Sequence, residues 1–127
     1  MLNELLNASY TSEKNALSLY EGLASFGEVF DQIASVRKNA IVLIEKFAST
    51  HDYELACENE AIFLPAKNKE DALIQALNYE LELNKMYEKF CESLDDEELK
   101  DLFFRLWATS NNEYVTSLKQ RLKEIYS

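Results

Sequence analysis

Two glutamates and two tyrosines stand at the same spacing in separate parts of the chain. Glu13 is followed seven residues later by Tyr20, and Glu80 is followed seven residues later by Tyr87. Seven residues are nearly two turns of an α-helix, so each tyrosine lies on the same side of its helix as its glutamate. Carboxylates on a buried helix face need a cation, either a metal ion or a basic side chain. The repeat therefore predicts an acidic site inside a helical protein.

Apolar and small residues recur every three or four positions on either side of each glutamate, the pattern of an amphipathic helix. On the same row as Glu13 stand Leu6, Ser9, Ala16, Tyr20 and Leu23, and on the same row as Glu80 stand Leu73, Ala76, Leu83, Tyr87, Phe90 and Leu94. Both carboxylates are therefore expected to point inward, rather than to lie on a solvated helix surface.

The same periodicity predicts four helices. They run from about residue 2 to 25, from 28 to 50, from 69 to 93, and from the acidic stretch at 95–98 to about 125. Gly27 ends the first helix, and the short links make helices 1 and 2, and helices 3 and 4, antiparallel neighbours. The irregular stretch from His51 to Asn68 is long enough to cross a bundle from end to end. We predict an all-α, four-helix bundle, a single domain over residues 1–127, with a crossover between helices 2 and 3.

Composition supports this fold and limits the partners. The chain has only two glycines and one proline in 127 residues, which is typical of helical proteins. Thirteen basic and 23 acidic residues give a net charge of −10, which repels nucleic acid and anionic membranes. The first residues lack the basic and apolar parts of a signal peptide, and no apolar run reaches about 18 residues. We expect a soluble, cytoplasmic protein in which Cys57 and Cys91 are reduced thiols.

Helices 2 and 4 supply the other half of the predicted core. The inward row of helix 2 is Phe30, Ile33, Arg37, Ala40, Ile44 and Phe47; that of helix 4 is Leu99, Phe103, Leu106, Ser110, either Glu113 or Tyr114, Leu118 and Leu122. Helices 1 and 3 resemble each other at an offset of 67 residues, and helices 2 and 4 resemble each other more weakly. Two similar hairpins would bring the helix midpoints together. Those midpoints carry Glu13, Arg37, Glu80 and Ser110 with Glu113.

Three features together resemble the ferritin-like superfamily, in particular small rubrerythrin-like domains. They are the Glu-x6-Tyr helices, the Phe30-x-x-Ile33-Ala34 start of helix 2 and the Phe103-x-x-Leu106-Trp107 segment of helix 4. In that family, two helices each supply a glutamate and two others each supply a Glu-x-x-His pair, which together hold two metal ions. The resemblance implies iron or manganese redox or storage chemistry, with Glu13, Glu80 and Glu113 as metal ligands.

The chain departs from the family at both Glu-x-x-His positions. Helix 2 has Arg37 where the motif should start, helix 4 has Ser110 there, and neither histidine is present. In one interpretation, Arg37 replaces the metal and holds both Glu13 and Glu80. The Tyr20 and Tyr87 hydroxyls then donate to the remaining carboxylate oxygens, and Glu113 turns toward solvent. We favour this metal-free polar core over a surviving oxygen-ligated metal site.

Several residues are given simpler roles. The side chain of Arg37 could instead extend along the bundle to solvent. Tyr20 and Tyr87 are interpreted as core residues with satisfied hydroxyls, and His51 as an exposed loop residue. The aromatic cluster of Phe103, Phe104 and Trp107 is mainly core, with one side available as the face of a homodimer. Asn111 and Asn112 are unfavourable in mid-helix and are expected to hydrogen-bond into the polar centre or across an interface.

Overall fold

The computed structural model describes residues 2–57 and 60–127, and within these ranges the chain forms helices and no strand. The all-α prediction is confirmed. The chain divides into two compact units, residues 1–65 and residues 66–127, and each unit is a helical hairpin. No helix in the described ranges is long and apolar enough to cross a membrane. The four-helix bundle, the end-to-end crossover and the single domain stay predictions.

Unit 1 consists of helix α1 (Leu2–Leu23), a 3₁₀ turn (Ala24–Phe26) and helix α2 (Glu28–Thr50). The predicted first helix is therefore correct to within its last turn, which tightens to 3₁₀ before Gly27. Every member of the predicted α1 row is buried. Residues later in α1 contact residues earlier in α2, so the two helices are antiparallel. These contacts are Tyr20 with Phe30, Glu13 with Arg37, and Tyr10 with Glu45.

Two residues of the segment that follows α2, Ala56 and Ala61, bond to α1. The backbone N–H of Ala56 donates to Asn7 Oδ1, and that of Ala61 donates to Asn15 Oδ1, each at 3.0 Å. The two asparagines are about 12 Å apart along the helix axis, at about 1.5 Å per residue. Ala56 and Ala61 are thus held at two points along α1, where asparagine side chains accept hydrogen bonds from backbone N–H groups that lie outside the helices.

Helix α2 ends in a left-handed residue. Asp52 has φ 58°, and the N–H of Tyr53 donates to the carbonyl of Ala48 at 2.9 Å, which is the long bond of a Schellman cap. His51 is exposed, as predicted; its Nδ1 lies 2.9 Å from the carbonyl oxygen of Phe47, and its ring stacks on the Phe47 ring at 4.1 Å.

Replacing Asp52 with glycine is expected to raise the free energy of unfolding by about 0.5–1 kcal/mol. The left-handed region is sterically costly for a residue with a Cβ and costs glycine little. Urea unfolding followed by circular dichroism measures the change. The control is Lys46→Gly, at an exposed interior position of α2, which should lower stability by about 1 kcal/mol. A loss of stability in both variants would contradict the prediction.

Unit 2 consists of helix α3 (Lys69–Ser93), helix α4 (Glu97–Thr109), a π-helical turn (Ser110–Val115) and helix α5 (Thr116–Tyr126). The last three follow one another without a break, and they replace the single regular helix that the sequence predicts. Side-chain caps start α3 and α4, because Asn68 accepts from the N–H of Asp71 and Asp96 accepts from the N–H of Leu99.

The two arms of unit 2 are antiparallel. Near the turn between them, Tyr87 packs against Phe103 with ring centroids 5.7 Å apart. At the far end, the Tyr126 hydroxyl donates to Glu70 at 2.6 Å. The predicted α3 row is buried except for Phe90, which is partly exposed. Glu80 thus lies on the inner face of this hairpin, midway along α3.

Candidate functional site

The first polar cluster lies in unit 1 and is an ion pair. Arg37 Nη1 donates to Glu13 Oε1 at 2.9 Å and to Oε2 at 3.2 Å. Arg37 is 2% exposed and Glu13 is fully buried. The alternative in which Arg37 extends to solvent is therefore wrong. One guanidinium nitrogen donates to both carboxylate oxygens, and the opposite charges of Arg37 and Glu13 compensate each other inside the hairpin.

The second polar cluster lies in unit 2 and has no basic residue at the corresponding place. Ser110 Oγ donates to Glu80 Oε1 at 2.6 Å, and both side chains are fully buried. A bond this short is typical of a hydroxyl that donates to a carboxylate. In unit 2 the Ser110 hydroxyl thus takes the position that the Arg37 guanidinium takes in unit 1.

The two clusters are built on the same plan. In each hairpin, the buried glutamate of the first helix bonds to the matching position of the second helix, Arg37 or Ser110. In each, the tyrosine seven residues after that glutamate packs against the phenylalanine seven residues before its partner. These aromatic contacts are Tyr20 with Phe30 at 6.5 Å and Tyr87 with Phe103 at 5.7 Å. The internal repeat is thus a repeat of contacts as well as of residues.

Tyr20 and Tyr87 are fully buried, as predicted for core residues. Holding of Glu80 by Arg37, across the two units, stays a prediction. So does donation by the two tyrosine hydroxyls to the carboxylates.

Glu113 does not join the buried carboxylates. It is exposed, whereas the next residue, Tyr114, is buried, so the inward position of helix 4 belongs to Tyr114. The prediction of Glu113 as a third inward-facing metal ligand is not supported by this placement. The physical reason is the π-helical turn, which adds a residue to one turn and shifts the following residues around the helix axis.

Of the two asparagines in the π-helical turn, Asn111 forms a side-chain hydrogen bond to α3 and Asn112 does not face inward. Asn84, one turn after Glu80 on α3, is 5% exposed, and its Nδ2 donates to Asn111 Oδ1 at 3.4 Å. Asn84 Oδ1 accepts no hydrogen bond from the described residues. Asn112 is exposed.

Sequence reasoning missed both Asn84 and the π-helical turn. With Tyr114 inward, the row Leu106, Ser110, Tyr114, Leu118 and Leu122 is spaced by four residues, which is wider than the helical repeat of 3.6. This spacing becomes a signal for the turn only after Tyr114 has been chosen over Glu113.

Deleting Asn112 is expected to change the free energy of unfolding by no more than about 1 kcal/mol. A π-helical turn has one residue more than an α-helical turn, so the deletion converts it to regular helix and leaves Leu118 facing inward. Deleting the exposed Asp101 from α4 is the control. It rotates the buried residues of a regular helix out of register and should cost about 3 kcal/mol or more. Equal losses in urea unfolding would contradict the prediction.

The side chains present do not fit a di-metal centre. Both oxygens of Glu13 face Arg37, a carboxylate oxygen of Glu80 accepts from Ser110, and Glu113 is exposed. Within residues 2–57 and 60–127, no three His, Cys, Asp or Glu side chains form a group that could hold a metal ion. A guanidinium against a carboxylate repels a divalent cation at the same oxygens.

No family model and no curated protein matches the chain. Among solved structures, it is similar to the crystal structure of hypothetical protein MJ0754 from Methanococcus jannaschii DSM 2661. The TM-score is 0.87 and the identity 19%, over 98% of this chain and 81% of that one. At this identity the similarity is one of fold, and it assigns no activity.

Proposed function

We propose that this chain is a divergent ferritin-like protein whose di-metal carboxylate centre has been altered and that works without a metal. In this proposal it is a structural or interaction protein, present in the cytoplasm as a homodimer. The observation that carries the proposal is the buried ion pair between Arg37 and Glu13, at 2.9 Å with Arg37 2% exposed. The positive charge that a metal would supply comes from the chain itself.

The second hairpin supports the same conclusion. Glu80 keeps the acidic half of the repeat, but a neutral hydroxyl takes the position of Arg37. If the two units lie together as a ferritin-like bundle, Arg37 is also the natural counter-ion of Glu80. Two carboxylates and one arginine would leave a charge of about −1 in the core, which buried tyrosine and serine hydroxyls can spread by hydrogen bonding.

The competing proposal is an iron- or manganese-binding redox or storage protein that uses Glu13, Glu80 and Glu113. It requires Glu113 to turn inward and Arg37 to leave Glu13. Each change is costly, because the first would displace the buried Tyr114 and the second would leave a buried charge without its partner. No contact in the described residues favours this alternative.

The test is the metal content of protein purified without chelator, measured for the wild type and for Glu13→Ala and Glu80→Ala. We expect no stoichiometric iron or manganese in any of the three. Stoichiometric metal in the wild type that is lost in both variants would overturn the metal-free proposal.

A second variant asks whether Arg37 is what excludes the metal. Arg37→Glu places a second carboxylate beside Glu13, and we expect a strong loss of thermal stability that added Mn²⁺ partly restores. Arg105→Glu, at an exposed position of α4, is the control and should show neither effect. A wild-type protein that Mn²⁺ stabilises as much as Arg37→Glu would contradict the proposed role of Arg37.

A further inference from the structure

Two large aliphatic side chains project into solvent from the segment that follows α2. Ile62 is 95% exposed and Leu64 is 83% exposed, while Phe63 between them is partly buried. Ala61 and Pro65, on either side, are exposed as well, so most of the apolar surface from Ala61 to Pro65 faces solvent. The exposed fractions of Ile62 and Leu64 are well above those of the other exposed large apolar residues described. The segment therefore presents an apolar edge to its surroundings.

The backbone directly before this apolar edge is hydrogen-bonded to α1. Asn15 on α1 accepts a hydrogen bond from the N–H of Ala61 at 3.0 Å, directly before Ile62. Asn7 accepts from Ala56 in the same way, nearer the end of α2. Binding through an apolar edge that is already held on a helix loses less conformational entropy than binding through a flexible segment.

The charges beside the apolar run are arranged to complement a reversed copy of the same run. Glu60 precedes it and Lys67 follows it, at equal distances from the point between Phe63 and Leu64. Glu60 and Lys67 are both exposed, and within the described residues neither forms an ion pair. A parallel copy would place like charges together, whereas an antiparallel copy places each glutamate opposite a lysine.

We propose that two copies of this chain pair through residues 60–67, antiparallel, about a twofold axis that passes between Phe63 and Leu64. Ile62 and Leu64 of each copy cover those of the other. Glu60 of each copy lies opposite Lys67 of the other, so the same ion pair occurs twice, as a twofold interface requires. This inference rests on the homodimer in the proposed function and names its interface.

The interface is small, and this sets the expected affinity. A segment of eight residues buries much less than the roughly 1,200–2,000 Å² of a stable protein interface. The net charge of −10 also opposes association of two copies, so the local Glu60–Lys67 complementarity matters. We expect a reversible monomer–dimer equilibrium that depends on protein concentration, with a dissociation constant of about 10 μM to 1 mM.

Sedimentation equilibrium over a range of protein concentrations tests the proposal. Ile62→Ser/Leu64→Ser should weaken dimerisation at least about tenfold. The matched control, Val42→Ser/Leu43→Ser, changes two aliphatic residues on α2 that are 45% and 44% exposed, and it should leave the dissociation constant unchanged. All four positions are exposed, so these variants should fold, and far-ultraviolet circular dichroism checks this.

Charge exchange tests the antiparallel arrangement itself. Glu60→Lys should weaken the dimer about tenfold, and Glu60→Lys/Lys67→Glu should return the dissociation constant to within about threefold of the wild type. A dimer that survives Ile62→Ser/Leu64→Ser would overturn this interface but keep the homodimer. A wild-type protein that stays monomeric at about 1 mM would overturn both. The metal-free core is tested separately by metal content.

Discussion

Replacing Arg37 with methionine is expected to lower the free energy of unfolding by about 3–5 kcal/mol. Methionine keeps much of the length of the side chain and removes its charge, so Glu13 remains fully buried without its cation. Removing one partner of a buried ion pair costs this much because the remaining charge stays out of water and has lost the opposite charge that compensated it. Urea unfolding followed by circular dichroism at 222 nm measures the effect.

The matched double variant separates the cost of an unpaired charge from the loss of packing. Glu13→Leu/Arg37→Met replaces the whole pair with apolar side chains of similar size, and its stability should return to within about 1 kcal/mol of the wild type. Arg105→Met serves as the surface control, since the ion pair of Arg105 with Asp101 is largely exposed and should contribute less than about 0.5 kcal/mol. A loss below about 1 kcal/mol in Arg37→Met would show that Glu13 does not depend on Arg37.

Replacing Ser110 with alanine is expected to lower the free energy of unfolding by about 1.5–3 kcal/mol. The hydroxyl donates to Glu80 at 2.6 Å in a place without solvent. Hydrogen bonds to charged groups contribute more than neutral ones, and a buried carboxylate that loses one of its donors retains the cost of desolvation. The loss should be much smaller in Glu80→Gln/Ser110→Ala than the sum of the two single variants predicts.

Ser93→Ala is the control for the serine substitution. The Ser93 hydroxyl donates to the carbonyl of Phe90 at 3.3 Å in an exposed position, where water can replace it. A change of less than about 0.5 kcal/mol is expected. Equal effects at Ser93 and Ser110 would mean that the bond to Glu80 contributes no more than an exposed one.

Helical periodicity was enough to place both acidic residues. The apolar rows around Glu13 and Glu80 make burial of those faces the main source of stability in each hairpin, so the carboxylates must follow their neighbours inward. The same logic places Arg37 on the inner face of α2, since Ile33 and Ala40 lie on the same row and are buried with it. A buried arginine without a carboxylate would be too costly, which makes its pairing with Glu13 predictable.

Periodicity could not predict in the same way which residues of the last helix face inward. The sequence allowed either Glu113 or Tyr114 on the inner face, and the choice depends on whether one extra residue enters the turn after Ser110. That turn gives up regular α-helical hydrogen bonding, and the cost is offset by the burial of Tyr114, Val115 and Leu118. Only packing against α3 can decide between the two.

The residue types and their spacing along the chain were enough to predict an all-helical protein with two similar hairpins and an inward-facing acid in each. Tertiary structure decided what each acid bonds to and which residues stand beside it. It assigned Arg37 Nη1 to both oxygens of Glu13, Ser110 to Glu80, and Asn111 to Asn84. Periodicity specifies which face of a helix is buried, because burial acts on whole faces. Hydrogen bonds depend on distances of a few tenths of an ångström between atoms of different helices, and these are set only when the helices pack.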